Sequence, residues 1–346
     1  MAERIRTVLG DISPGELGIT LMHEHLLCDL TCLFEPPPQV TARRLAGERV
    51  DIENLGVLHR NPFAIRDNLL LDDVELAAQE IKRFRWAGGN TVVEATCVGM
   101  GRDVAGLRRI AVETGLNIVA GCGYYVDSSH PPYLETRSVD EITAELVDEI
   151  EGGIEGTGIR PGIIGEIGTS QQITPTEEKV LRAAARAQAE TGLPVSVHPY
   201  FRDGKWHALE ILDILEAEGA DPGRVIICHM DGNPDVEYGR SVARRGAYIE
   251  YDTFGKEYTR TDKSYELPKD TQRVKSIQYL AQEGFVDRIL LSQDVCFKMD
   301  LHRYGGWGYD HILTNVLPMF HAAGTGDDTL HRILEVNPAK ALSITK

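Results

Sequence analysis

Two histidines separated by one residue, His23 and His25 in LMHEHLL, are the first residues of the chain whose types and spacing could do chemistry. In an extended segment, side chains two apart face the same way, so both imidazoles can reach one metal ion. Four further donors each end a short apolar run: Glu166 in GIIGEIGTS, His198 in VSVHPY, His229 in VIICHMD and Asp294 in ILLSQDV. Imidazole with carboxylate suits zinc, and also manganese, cobalt, iron or nickel. Six protein ligands are too many for one catalytic zinc with an open position. They suit two divalent ions that share a carboxylate, a pair that makes hydroxide from water at neutral pH and polarises the bond under attack. A lone histidine at a strand end is usually a satisfied structural residue; the joint pattern is what points to a metal centre. His59, His130, His207, His302, His321 and His331 lack this placement and read as surface or loop residues. Glu24, inside the HxH, alternates to the opposite face and reads as structural. By the same alternation Cys228 should point away from the ligand side of His229.

The elements that must position these donors follow a regular order. Candidate strands are Ile19–Met22, Thr91–Thr96, Asn117–Tyr125, Gly162–Gly168, Pro194–Pro199, Arg224–Asp231, Tyr248–Gly255 and Arg288–Val295. Several are continuous β-branched runs, as expected of strands buried on both faces. Between them lie amphipathic segments: Asp72–Ala87, Val104–Thr114, Val139–Ile150, Pro175–Thr191, Trp206–Glu218, Val236–Arg244 and Gln272–Gln282, with His311–Phe320 and Thr329–Glu335 after the last strand. Thr174 is placed to cap the Pro175 helix and Gly192 to end it. Eight strands alternating with helices predict an α/β fold, a (β/α)8 TIM barrel, over a single domain spanning 1–346. A doubly wound open sheet is the alternative, but it would not bring the six donors to one mouth. Long inserts at Leu26–Leu71, Lys256–Asp270 and Cys296–Asp310 follow strands one, seven and eight, on the face where barrels place their active sites. The opening segment IRTVLGDISPGELG reads as a hairpin capping the other end.

Composition narrows the function classes. With 36 Lys and Arg against 53 Asp and Glu, the net charge is −17, which argues against a nucleic-acid partner. No apolar stretch reaches the roughly 18 residues of a membrane span, and MAERIRTVLGD carries no apolar leader core. Six sparse cysteines read as reduced thiols, so a cytoplasmic protein without a membrane partner is expected.

The chain resembles the amidohydrolase superfamily, within it the phosphotriesterases, and most closely their phosphotriesterase-related branch. The resemblance covers nearly the whole length: RTVLGDISPGELGITLMHEH, AGGNTVVEAT, GMGRD, GCGYY, GEIGTS and RYGGWGYDHILTNVLP. It implies a barrel with a binuclear metal centre and a homodimer. His23, His25 and Asp294 would hold the more buried ion, His198 and His229 the more exposed one, and Glu166 would bridge them. Founding phosphotriesterases carry a carbamylated lysine at the bridge. No lysine lies in Gly162–Gln172, and a glutamate offers the same two-oxygen bridge. The related branch is associated with ester, lactone or amide hydrolysis more than with phosphotriesters.

The mechanism expected is attack by a metal-bridging hydroxide, with Asp294 moving the proton to the leaving group. By resemblance Tyr125 reaches the reacting oxygen. Tyr124, Arg202 and Trp307 are candidates for the substrate pocket, although Gly305–His311 otherwise reads as a structural turn. Arg202, Lys205, Lys256, Arg260, Lys263, Lys269, Lys298 and Arg303 give the predicted rim a basic character that suits a small anionic substrate. The bland reading is that Glu257, Asp262, Glu266 and Asp270 balance these charges. Two other functions stay open: an organophosphate hydrolase on the same scaffold, and a metal-containing binding protein without turnover.

Overall fold

The computed structural model describes residues 2–37, 39–40, 42–200, 206–233, 235–260, 263 and 265–345. Eight parallel strands form one sheet: β1 (Thr20–Glu24), β2 (Thr91–Glu94), β3 (Asn117–Cys122), β4 (Ile163–Gly168), β5 (Val195–His198), β6 (Val225–Ile227), β7 (Tyr248–Tyr251) and β8 (Ile289–Leu291). Their spatial order is their chain order, from β1 at one edge to β8 at the other. The edges then meet. Asp294 N–H donates to the His23 carbonyl (3.1 Å) and His25 N–H to the Val295 carbonyl (3.3 Å), closing a (β/α)8 barrel. Each strand begins where its apolar run predicts. Five stop two to four residues earlier; after β6 and β8 the left-handed backbone at His229 and Asp294 takes the donors out of the ladder.

The closure has a side-chain clamp. Glu24, fully buried, accepts hydrogen bonds from Ser292 Oγ (2.7 Å), Gln293 N–H (2.8 Å) and Val295 N–H (2.8 Å). It turns away from the donors that flank it and ties β1 to the end of β8.

Helices cover the outside of the sheet: α1 (Val74–Trp86), α2 (Val104–Thr114), α3 (Val139–Gly152), α4 (Pro175–Thr191), α5 (Ala208–Ala217), α6 (Val236–Arg244), α7 (Asp270–Leu280) and α8 (Leu317–Ala322). Local chemistry sets their ends. Asp73 caps α1 by accepting from Glu75 N–H and Leu76 N–H, and Thr174 with Glu177 forms a capping box on α4. Gly192, at φ 78°, stops α4 in a conformation that favours glycine. One apolar layer lies between sheet and helices. A second fills the lower barrel, where Met22, Val93, Val119, Ile163, Ile226 and Leu290 meet Ile5 and Leu17 of the N-terminal segment and Leu342 near the C-terminus. The hairpin Ile5–Thr7/Gly10–Ile12 thus caps the end opposite the donors.

Two inserts face each other across the upper mouth. The insert after β7 carries a short hairpin, Thr259–Arg260 with Tyr265–Glu266, and Arg260 and Lys263 both donate to Glu35 of the insert after β1 (2.7 Å each). All six cysteines are unbridged. Among the described residues no helix is long and apolar enough to cross a membrane.

Candidate metal centre

The upper ends of β1, β4, β5, β6 and β8 bring the six donors to one buried place. His25 Nε2 lies 3.2 Å from Glu166 Oε1 and 3.5 Å from Asp294 Oδ1. His23 Nε2 lies 3.5 Å from Glu166 Oε2, and His198 Nδ1 lies 3.1 Å from the same oxygen. His229 Nε2 is 2.7 Å from His198 Nδ1. Glu166 therefore sits between the two groups of imidazoles. His229 (φ 56°) and Asp294 (φ 50°) reach their positions through left-handed backbone, which ends the strand alternation at both places.

These atoms fit cations. Donor atoms of His23, His25 and Asp294 lie within 4.8 Å of one another, as do those of His23, Glu166 and His229. His23 Nε2 and Glu166 Oε2 are shielded from solvent yet have no hydrogen-bond partner, a costly arrangement unless a ligand satisfies them. Burial pushes the imidazoles of His198 and His229 down to about 4, which keeps both neutral with a lone pair available at neutral pH. Burial alone would raise the Glu166 carboxyl, but the imidazoles around it outweigh this and hold it well below its ordinary value. At Asp294, Lys256 and the histidines likewise outweigh burial and lower the carboxyl.

A second ring of groups orients the first. His25 Nδ1 meets Thr96 Oγ1 (2.8 Å), which donates to Glu94 (2.8 Å). His229 Nδ1 meets Asp252 Oδ1 (2.9 Å), which also accepts from the His229 backbone N–H. Burial pushes the Asp252 carboxyl up to about 7. Lys256 Nζ, buried beneath the β7 insert, lies 3.1 Å from Asp294 Oδ2 and 3.6 Å from Asp300. Glu94, Asp252 and Cys228 were open to sequence reasoning only as polar residues near strand ends. Lys256 was visible only as one of many rim cations.

The cleft above the donors holds about 30 Å³, room for water but not for an acyl substrate. Leu30, Leu33, Phe63, Tyr258, Leu267 and Phe297 supply its apolar walls, with Tyr125 and Lys256 among its polar ones. Tyr125 Oη stands 3.4 Å from His198 Nε2.

Other expected residues fall elsewhere. Tyr124 is buried with its hydroxyl on Glu145 (2.7 Å) and does not line the cleft, because consecutive residues after β3 turn to opposite sides. Trp307 is 55% exposed, packs on His311, and lines an adjoining hollow of about 120 Å³. Arg202 and Lys205 lie outside the described residues. Cys228 does not point away: it follows the alternation of β6 into the barrel interior with Ile226, 3.3 Å from His23 Nδ1, and the left-handed backbone brings His229 in beside it. Among the described rim cations Lys256, Arg260, Lys263 and Lys298 are paired, though not with the expected acids. Arg260 and Lys263 meet Glu35, and Lys298 meets Asp67 (2.7 Å).

The model of the phosphotriesterase family matches residues 3–342. An N-acetyltaurine hydrolase of Xenopus tropicalis is 38% identical over 99% of both chains. The fold superposes on a resiniferatoxin-binding protein of Rhodobacter sphaeroides with a TM-score of 0.95, at 43% identity over 98% of this chain and 94% of that one. A lactonase of Listeria monocytogenes gives a TM-score of 0.79, at 31% identity over 99% of this chain and 100% of the other. With this barrel and this set of converging donors, the chain belongs to the phosphotriesterase family and is a metal-dependent hydrolase.

Proposed function

We propose that the chain hydrolyses the amide bond of a small N-acyl compound bearing an anionic tail, using two divalent ions, zinc first among them. The observation that supports this most is the convergence of six imidazole and carboxylate side chains around buried donor atoms that lack partners. His23, His25 and Asp294 would hold one ion, His198 and His229 the other, and Glu166 both. When bound, such a pair supplies a nucleophile from water at neutral pH and polarises the carbonyl.

The remaining steps belong to the protein. Asp294 turns Oδ1 toward His23 and His25 and Oδ2 toward Lys256, so it can take the proton of the attacking water while Lys256 fixes its orientation. That proton then passes to the leaving nitrogen. The Tyr125 hydroxyl, beside His198, is placed to donate to the oxygen that becomes negative. Apolar walls from Leu33, Phe63 and Phe297 limit the access of bulk water to the donors.

The anionic tail is supported by the net of the comparisons and the cleft. The Xenopus relative is named for an amide with a sulfonate tail, and Lys256 lines the cleft. Arg202, on the sequence just after β5, is the proposed further anion partner, because its fork suits a carboxylate or sulfonate. The test is a panel of N-acetyltaurine, N-acyl amino acids, neutral N-alkylacetamides, lactones and phosphotriesters with zinc-loaded protein. The expected result is kcat/KM highest for the anionic amides and reduced about tenfold or more by Arg202→Ala. Faster lactones or phosphotriesters would reassign the bond. Saturable binding without turnover of any member would favour a binding protein.

A further inference from the structure

Ser196 on β5, Cys228 just after β6 and Glu250 on β7 meet below the metal centre, and no step proposed above uses them. Cys228 Sγ lies 3.3 Å from His23 Nδ1, 3.0 Å from Ser196 Oγ and 3.4 Å from Glu250 Oε2. His23, Cys228 and Glu250 are wholly buried and Ser196 is 3% exposed, so water does not compete for these contacts. Two carboxylates also face His23 Nδ1, Asp252 Oδ2 at 3.5 Å and Glu250 Oε2 at 3.9 Å. Both are beyond the usual N–H···O range, whereas 3.3 Å is within reach of the larger sulfur atom. Asp252 is already engaged by the ring and backbone of His229.

We infer that Cys228 is a positioning residue for His23, the thiol standing where a metal-binding histidine ordinarily meets a carboxylate, a backbone carbonyl or water. His23 Nδ1–H donates to Sγ, the S–H donates onward to Glu250 Oε2, and the Ser196 hydroxyl donates to the remaining sulfur lone pair. A proton fixed on Nδ1 leaves the Nε2 lone pair bare. Nε2 then faces Glu166 Oε2 at 3.5 Å and Asp294 Oδ1 at 3.9 Å without a hydrogen-bond partner of its own. One side chain thereby sets both the tautomer and the tilt of the ring. Cys228 keeps the inward register of Ile226 on β6, and the left-handed backbone begins only at His229.

The inference rests on His23 being a metal ligand, and the test separates the two. Metal content and chelator competition are measured on the full-length chain loaded with zinc, for the wild type, Cys228→Ala and Cys228→Ser. Thermal unfolding of the metal-free proteins controls for folding. The expected result is two ions in the wild type. In Cys228→Ala, affinity for one ion falls about 10–100-fold while the other stays within about threefold. Cys228→Ser, whose hydroxyl can still accept from Nδ1–H, recovers most of the loss. A readout independent of turnover is the exchange-protected His23 Nδ1–H resonance of the loaded protein. It should shift in Cys228→Ser, which also keeps the inference testable if the Ala variant does not fold. A wild type that binds no ion through His23 overturns the site reading, and this inference with it. Two ions held equally by wild type and Cys228→Ala, or an unmoved resonance, overturn the inference alone. Loss of a third equivalent with the thiol also overturns it, because Nδ1 would then be a ligand rather than a donor.

Discussion

Glu24→Ala should unlock the barrel seam. The Glu24 carboxylate accepts from Ser292 Oγ, Gln293 N–H and Val295 N–H at 2.7–2.8 Å, with every participant buried. Removing it strands two backbone N–H groups and a hydroxyl in a dry seam. At about 1–3 kcal/mol for each buried group left unsatisfied, with some recovery by water, the loss is about 3–6 kcal/mol. The metal centre should feel it too. Ser292 Oγ accepts from His23 N–H (2.9 Å) and Asp294 N–H donates to the His23 carbonyl, so this seam sets where His23 and His25 stand relative to Asp294. Urea denaturation of chelator-treated wild type, Glu24→Ala and Glu24→Gln measures the effect. Gln keeps part of the acceptor set and should cost about 1–2 kcal/mol. An Ala variant within about 1 kcal/mol of wild type, with unchanged metal affinity, would refute the clamp.

Asp294→Asn should retain metal through the histidines and Glu166 yet lower kcat about 10²–10⁴-fold, the scale of a lost general base; near-native turnover would leave Asp294 as a ligand only. Tyr125→Phe should lower kcat about tenfold or more with KM within about threefold, and equal losses in both would point to substrate binding instead. Metal binding should release protons below neutrality. Burial raises the Asp252 carboxyl from its ordinary 3.8 to about 7 in the metal-free protein, so it holds a proton below pH 7 that nearby cations would expel. Affinity should therefore fall as pH drops below 7. Calorimetry at pH 6.5 in two buffers of different ionisation enthalpy should report that proton, and identical heats would exclude it.

The barrel and the six donors were legible in the sequence for the same reason. Histidines and carboxylates are out of place at the ends of apolar β-branched runs, and eight such runs between amphipathic helices leave few other folds. Glu24 was also legible, since alternation holds over residues 23–25, although a register irregularity lies between Leu21 and Glu24. Alternation failed at His229, where the backbone leaves the extended region: Cys228 keeps the inward register of Ile226 and His229 swings in beside it, so the two do not face opposite sides as expected. Charge partners were hidden by distance along the chain. Nothing local to Arg260 or Lys263 marks Glu35, more than two hundred residues earlier, as their acceptor. Local acids looked sufficient because pairing across a barrel mouth depends on how two inserts fold over it. Asp252 and Glu94, which hold ligands from strands without a ligand of their own, carry no motif that separates them from ordinary strand-end acids.

Two divalent ions should sit among His23, His25, Glu166, His198, His229 and Asp294. Anomalous diffraction from crystals of the zinc-loaded protein, collected on both sides of the zinc edge, tests this placement most directly. Two peaks about 3.5–4 Å apart are expected, with Glu166 reaching both. A single peak, or zinc bound away from these six side chains while the protein turns over substrate, would contradict it.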